Sequence, residues 1–493
     1  MSELRPAFYR LPVEILILIV KPFCEYNYHY GERLQCLSTL RALRLSCSQF
    51  AYLPCVQAKL FAVIYLKSCP EHVKRLETTD FSRITPYVRS IFIESTKYTW
   101  GTSFELFKEV VTRQAIHAHA ADNPERSTDL NNFQWKGKRG YGLYVEKYMK
   151  GIPPLPEDEM EKSYETYMAR ANEVRELFDS GSFEQVLTAA FRKLSSFTHS
   201  LRISTWDPDV GRSRNHCLAP SMLVGDALFT AVLRSVSAVD WTPADLSVNC
   251  SLTKEFSWLE DPKWASINLA GLKDLEFSPG CYLWPGSTIQ DYVQNETGWN
   301  AALTSILKKC QHSLTSLKLS PSRAHSFCRD VIALPNLETL EIEELCVSPR
   351  RFASFLRLSK SLRRLKLRSI DVDSGNGWEY KYIWNAIRHH ENKIRVDLDE
   401  VTIRSSNEPL NMTLGFPCRE PWSETEDIEN SLNNYVSNSG KWNAALQIWF
   451  DGDEGDEDGS SVHPSIFGED SSSDQNDMEE IWDEDDDNPI EDD

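Results

Sequence analysis

Two pairs of histidines, scattered cysteines, a basic glycine-rich loop and an acidic loop are the places where this chain of 493 residues could do chemistry. His117 and His119, in the stretch HAHA, lie two positions apart, and on a helix that spacing aims them at different faces. His389 and His390 are adjacent and diverge in the same way, so neither pair reads as a metal site. The 12 cysteines run from Cys24 to Cys418 with no C-x-x-C and no histidines at zinc-finger spacing. They read as reduced, buried, small hydrophobes, as expected of a soluble intracellular chain, cytoplasmic or nuclear, with no signal peptide. KGKRGYG (136–142) could cradle a phosphate, but no clear strand and helix flank it, so it reads as a mobile loop. DGDEGDEDG (451–459) shares only acidity with a calcium loop, lacking the D-x-D-x-[DN]-G order and the Glu at the twelfth position. G-x-S-x-G, H-E-x-x-H and the P-loop are all missing from the sequence. The expectation is a chain with no catalytic residues, no metal and no cofactor.

Charge narrows the partners. The net charge of −20 is a property of the end of the chain, because residues 451–493 carry 20 Asp or Glu and no Lys or Arg. The remaining residues hold 53 acidic and 53 basic side chains. A neutral body gives no electrostatic case for nucleic acid. The acidic block cannot collapse on itself and reads as a disordered tail. Phe467, Ile481 and Trp482 within it are candidate anchors for a basic or apolar groove.

The elements that must position any site begin with RLPVEILILIVKPF (10–23), apolar at every position from Ile15 to Val20. A membrane span needs roughly 20 apolar residues, and Glu14, Lys21 and Pro22 bound this run too closely, so no membrane partner is expected. With Pro12 opening a helix and Glu14 in its first turn, Val13, Leu16, Ile17 and Val20 form one stripe. Ile15, Leu18 and Ile19 cover the other side, and a helix apolar nearly all round must be sandwiched. Leu37, Leu40, Leu43 or Arg44, Cys47 and Phe50 mark a second helix within 34–53. Pro54 reads as a break, and KLFAVIYL (59–66) alternates like a strand. The second face of the first helix is then covered either by the rest of the chain or by another protein.

Further along, LKDLEF (272–277), LTSLKL (314–319), LETLEI (337–342) and LRRLKL (362–367) share L-x-x-L-x-L, with VRSIFI (88–93) an earlier conservative copy. Two of the spacings fall within the roughly 20 to 29 residues of leucine-rich repeats, and helical segments precede several copies. The Asn or Cys that usually follows such a strand is replaced by Ser322, Leu345 and Ile370, so the repeats are irregular. W-N-A recurs at Trp299, Trp384 and Trp442, which reads as recurrent helix starts with Asn at the cap.

Leu11-Pro12-x-Glu14-Ile15-Leu16-x-x-Ile19, followed by Leu40-x-x-Leu43-Arg44-Leu45-x-Cys47-x-x-Phe50-x-x-Leu53, resembles the F-box, and the continuation resembles fungal F-box proteins with leucine-rich repeats. The resemblance implies a mixed α/β chain. A three-helix F-box at 8–58 leads to first repeat-like strands at 59–100 and a helical insertion at 101–190, followed by a solenoid at 191–404. A cap at 405–450 and a disordered acidic tail at 451–493 complete the expectation. It also implies a function: a non-catalytic substrate receptor of a Skp-cullin-F-box ubiquitin ligase. Leu11, Pro12, Ile15, Leu16, Ile19, Leu40, Leu43 and Leu45 would contact the Skp-type adaptor, and the repeats would bind an unknown protein substrate. Arg350, Arg351, Arg363 and Arg364 are exposed-charge candidates for the substrate. The alternative is an interaction scaffold outside any ligase, whose acidic tail binds a basic protein.

Overall fold

The computed structural model describes residues 11–25, 30–96, 98, 100–121, 145–149, 152–153, 155–205, 221–250, 252, 256–279, 289–320, 326–327, 332–374, 381–405, 412–414 and 434–435. The 136–142 loop, Trp442, Phe467, Ile481, Trp482 and the acidic tail lie outside them.

The opening run is helical, as α1 (Val13–Glu25), with the Pro12 carbonyl accepting from the Ile15 and Leu16 amides at 3.1 and 3.2 Å. It passes through Pro22, at the loss of one i→i−4 bond. The inward stripe is Leu16, Ile19, Val20 and Phe23. Val13 and Ile17, expected beside Leu16, are 50% and 40% exposed. The i, i+3, i+4, i+7 set centres the buried face one position away from the stripe drawn through Val13 and Ile17.

The second helix is longer than the sequence suggested and is broken. It runs as α2 (Tyr30–Ser46) and α3 (Ser48–Tyr52), separated by Cys47 at φ −149°, ψ 125°. Pro54 starts a helix rather than ending one. It occupies the first position of α4 (Pro54–Phe61), where its missing N–H costs nothing, so the strand expected from Lys59 begins only at Val63. Leu16, Val20, Leu40, Cys47, Phe50, Leu53 and Val56 bury one another and give α1 to α4 a small core of their own.

The rest of the described chain is built on one sheet of eleven strands. β1 (Val63–Lys67), β2 (Ser90–Glu94), β3 (Ser200–Ser204), β4 (Asp245–Asn249), β5 (Asp274–Phe277), β6 (Ser316–Leu319), β7 (Thr339–Glu343), β9 (Arg364–Ser374) and β10 (Arg395–Ser405) lie side by side in chain order. Each pairs parallel with the next. The two-residue β8 (Cys346–Val347) pairs with β9, and β11 (Met412–Leu414) closes antiparallel on β10. Every L-x-x-L-x-L copy supplies one strand, its last two apolar residues pointing inward: Leu275 and Phe277, Leu317 and Leu319, Leu340 and Ile342, Leu365 and Leu367. The first leucine of each copy (Leu272, Leu314, Leu337, Leu362) is fully buried just before its strand. Where an Asn would follow, Leu345 and Ile370 are buried apolar residues.

Helices cover that inner face within one continuous core. After β1 comes α5 (Pro70–Thr78). Between β2 and β3 come α6 (Phe104–Ala121), α7 (Glu157–Asp179) and α8 (Ser182–Leu194), so the insertion boundary drawn at 190 falls inside a helix. Phe183, Leu187, Ala190, Phe191 and Leu194 give α8 one buried stripe. The series continues with α9 (Ser221–Ala238), α10 (Pro262–Ser266), α11 (Ile289–Cys310), α12 (Pro349–Leu358) and α13 (Lys381–Arg388). Trp299 and Trp384 lie inside α11 and α13 rather than at helix starts. Both are buried, Trp299 stacking on Phe277 of β5 with centroids 5.4 Å apart. Beyond β11, the Tyr435 hydroxyl donates to Asn385 of α13 at 2.6 Å and Arg388 lies 4.1 Å over its ring.

Candidate docking surfaces

The α1 to α4 module keeps part of its apolar surface outside its own core. Val13, Ile15, Ile17 and Leu18 are exposed by 50%, 41%, 40% and 61%, four within one and a half turns of α1. Single exposed apolar residues are ordinary, whereas a contiguous set marks an interaction surface. Leu45, at 87%, and Tyr52, at 73%, are exposed on α2 and α3.

The residues matched to the F-box pattern divide by depth. Pro12, Ile15 and Leu45 are exposed, and Leu11, Ile19 and Leu43 are partly buried against the module's core. Leu16 and Leu40 are inside that core, at 2% and 0%, and hold the helices together instead of facing outward. Motif matching missed Val13, Ile17, Leu18 and Tyr52. The signal for the first three was present, since a helix apolar all round cannot bury every face in a small bundle.

The second surface is the solvent face of the parallel sheet. Because side chains alternate along a strand and the strands are in register, they stand in rows across the sheet. One row runs Tyr65, Phe92, Arg202, Ser247, Glu276, Lys318, Glu341, Lys366 and Asp397. Tyr65 and Phe92 meet edge to face at 5.4 Å. Glu276 pairs with Lys318 at 3.0 Å and accepts from the Ser247 hydroxyl at 2.8 Å. Burial pushes the Glu276 carboxyl up, but the bonds from Lys318 and Ser247 outweigh it and hold the group below its ordinary range. Glu341 pairs with Lys366 at 3.5 Å and Arg368 at 3.8 Å. A central stretch of this row is thus neutralised by alternating charges.

The row nearer the strand starts is different. It runs Ser200, Asp245, Asp274, Ser316, Thr339, Arg364 and Arg395. Burial, and then the hydrogen bond and charge of the neighbouring Asp274 carboxyl, push Asp245 above its ordinary value, with Arg202 and His199 pulling the other way. A groove of about 270 Å³ opens over this acidic pair, lined by Ser200, Arg202, Ser247, Glu276 and Ser316.

The four candidate arginines are not brought together. Arg350 and Arg351 stand in the first turn of α12, Arg350 lying 5.5 Å over the Tyr382 ring. Arg363 and Arg364 lie where β9 begins, their amides both donating to the Glu338 carbonyl. The length of α12, roughly 15 Å for ten residues at 1.5 Å each, separates the two pairs. All four are exposed.

His390 and Cys310 take structural places. The Asn392 amide donates to Nδ1 of His390 at 3.1 Å, leaving Nε2 as donor to the Ser359 carbonyl at 3.0 Å. His389 and His119 are exposed, and the side chain of His117 lies outside the described set. Burial pushes the Cys310 thiol up to about 12, and its Sγ donates to the Ile306 carbonyl at 3.3 Å. Among the described residues no group of three His, Cys, Asp or Glu could hold a metal ion, and no helix is long and apolar enough to cross a membrane. Compared with known proteins, the chain matches no family model and none of the curated proteins at a significant level.

Proposed function

We propose that the chain is the substrate-recognition subunit of a Skp-cullin-F-box ubiquitin ligase, with α1 to α4 as its F-box and the parallel sheet with its covering helices as an irregular leucine-rich-repeat solenoid. The observation that carries this reading is the exposed set Val13, Ile15, Ile17 and Leu18 on a helical module with its own core. Burying a large aliphatic side chain is worth roughly 1.5–3 kcal/mol, and a partner that covers these residues gains that energy. Leu11 and Pro12 at the start of α1, and Leu45 on α2, extend the surface. Leu16 and Leu40 set the angle between the helices that present it.

The sheet face would receive the substrate. Parallel strands in chain order, most of them joined through a helix, place many side chains in one field. Ubiquitin transfer would then be performed by other subunits, and this chain would position the protein to be modified. The test is co-purification of the full chain with a Skp-type adaptor after co-expression. Wild type should give a one-to-one complex, and Ile15→Glu with Leu18→Glu should abolish it while leaving the purified chain folded. A complex unaffected by the double variant would remove α1 from the interface.

A further inference from the structure

The row Asp245, Asp274, Ser316, Thr339, Arg364 and Arg395 carries two like-charged pairs, each directly opposed on adjacent strands. Like charges in that position destabilise a sheet. The neighbouring row on the same face avoids the cost: Glu276 faces Lys318, and Glu341 faces Lys366. At the basic end no relief is present, because Arg363, Arg364 and Arg395 have no ion-pair partner among the described residues, and all are exposed. At the acidic end Asp245 stays above its ordinary value even with Arg202 and His199 nearby. The two hydroxyl residues between the pairs, Ser316 and Thr339, can donate or accept hydrogen bonds without adding charge.

We infer that this row is a docking strip for an extended segment of a partner protein that carries two basic residues at one end and two acidic residues at the other. Charge complementarity fixes the occupant. A purely acidic segment would lie over Asp245 and Asp274, a purely basic one over Arg364 and Arg395, and each would meet repulsion there. Four strand spacings of roughly 4.8 Å place the centres of the two pairs on the order of 19 Å apart. At about 3.3 Å per extended residue, the matching charges in the partner are about six residues apart. The basic end of the partner enters the groove over the acidic pair, and its acidic end is taken by two guanidiniums, whose planar forks suit carboxylates. This deepens the receptor reading by naming its substrate chemistry, and its test involves no adaptor.

The probe is a labelled synthetic peptide, Lys-Lys-Ser-Ser-Ser-Ser-Glu-Glu, blocked at both ends and titrated against the full chain by fluorescence anisotropy at low salt. Analogues carry one serine, or eight, between the charged pairs. The four-serine peptide should bind at least tenfold tighter than either analogue. Arg364→Gln with Arg395→Gln, and separately Asp245→Asn with Asp274→Asn, should each weaken it at least tenfold. Arg192→Gln with Lys193→Gln, in the last turn of α8, should leave it unchanged. The Asn variant removes repulsion and so folds at least as well as wild type, which keeps a loss of binding from being mistaken for unfolding. Equal affinity across the spacing series would overturn the proposal. So would equal affinity for the peptide with both lysines replaced by glutamine, which would reduce the strip to a simple anion site.

Discussion

Leu16 and Leu18 are two positions apart on α1, and replacing each tests whether the helix has an open face. Leu16 is 2% exposed and packs among Val20, Leu40, Phe50, Leu53 and Val56. Leu16→Ala deletes a buried branched side chain and should cost roughly 2–5 kcal/mol. Leu18 is 61% exposed, so Leu18→Glu should change stability by no more than about 0.5 kcal/mol. Hydrogen exchange followed by mass spectrometry suits a chain with more than one core, because it reports the opening of α1 to α4 separately from the sheet. At 1.4 kcal/mol per tenfold, Leu16→Ala should speed exchange across α1, α2 and α4 by roughly 30- to 4,000-fold. Leu18→Glu should change it by less than about threefold. If Leu18→Glu opened the module as far as Leu16→Ala does, the outer face of α1 would be buried by its own chain, and the case for a partner there would fail.

Substitutions at four further positions probe the scaffold. Trp299→Ala, which removes a fully buried ring stacked on Phe277 and a donor to the Ser326 carbonyl at 3.1 Å, should cost about 3–5 kcal/mol in denaturant unfolding of the sheet. Asp261 accepts from the Lys263 amide at 2.8 Å at the start of α10 and pairs with Arg234 at 2.6 Å. Burial pushes its carboxyl up, but these bonds outweigh it and leave the group below its ordinary value. Its stabilisation is therefore present above the unfolded-state value and fades as pH falls through the folded one. Asp261→Ala should be about 1 kcal/mol less stable than wild type at neutral pH, and the gap should close in acid melts. Gly181 holds φ +70° with nothing within 4 Å of a would-be Cβ, so Gly181→Ala should cost about 1 kcal/mol in thermal melts, from backbone strain alone. Glu341→Gln should cost less than about 1 kcal/mol, and Glu341→Lys, placed between Lys318 and Lys366, should cost more by the same measurement.

Much of the sheet could be read from leucines, and three of the unread strands share one feature. β3, β4 and β10 place Leu201 and Ile203, Leu246 and Val248, and Val396 and Leu398 in register with their neighbours, as the repeat pattern requires. What they lack is the leading leucine, for which Thr198, Pro243 and Lys393 stand. Thr198 fits because its hydroxyl donates to the Leu194 carbonyl at 3.0 Å. A pattern anchored on that leucine passes over them, although the last two positions carry most of the burial. Strand and helix were also confused at Pro54, because proline ends one element and begins the next with equal ease. Within the insertion expected to be helical, Glu157–Asp179 is a single helix of 23 residues.

The docking surfaces were legible to different degrees. The apolar run of α1 announced itself, but depth within it did not, and only packing separates Leu16 from Ile15. Arg363 and Arg364 could be named as exposed charges, while Arg395 and Asp245, each far away in sequence from its neighbour in the row, become part of a strip only through strand register.

The most direct test of the central claim is the stoichiometry of the complex between the full chain and a Skp-type adaptor, by co-expression and light scattering of the purified species. A one-to-one complex that Ile15→Glu with Leu18→Glu abolishes, and Arg364→Gln with Arg395→Gln leaves intact, is the predicted result. Purification of the wild-type chain without the adaptor would contradict it, and would favour an interaction scaffold that works outside any ligase.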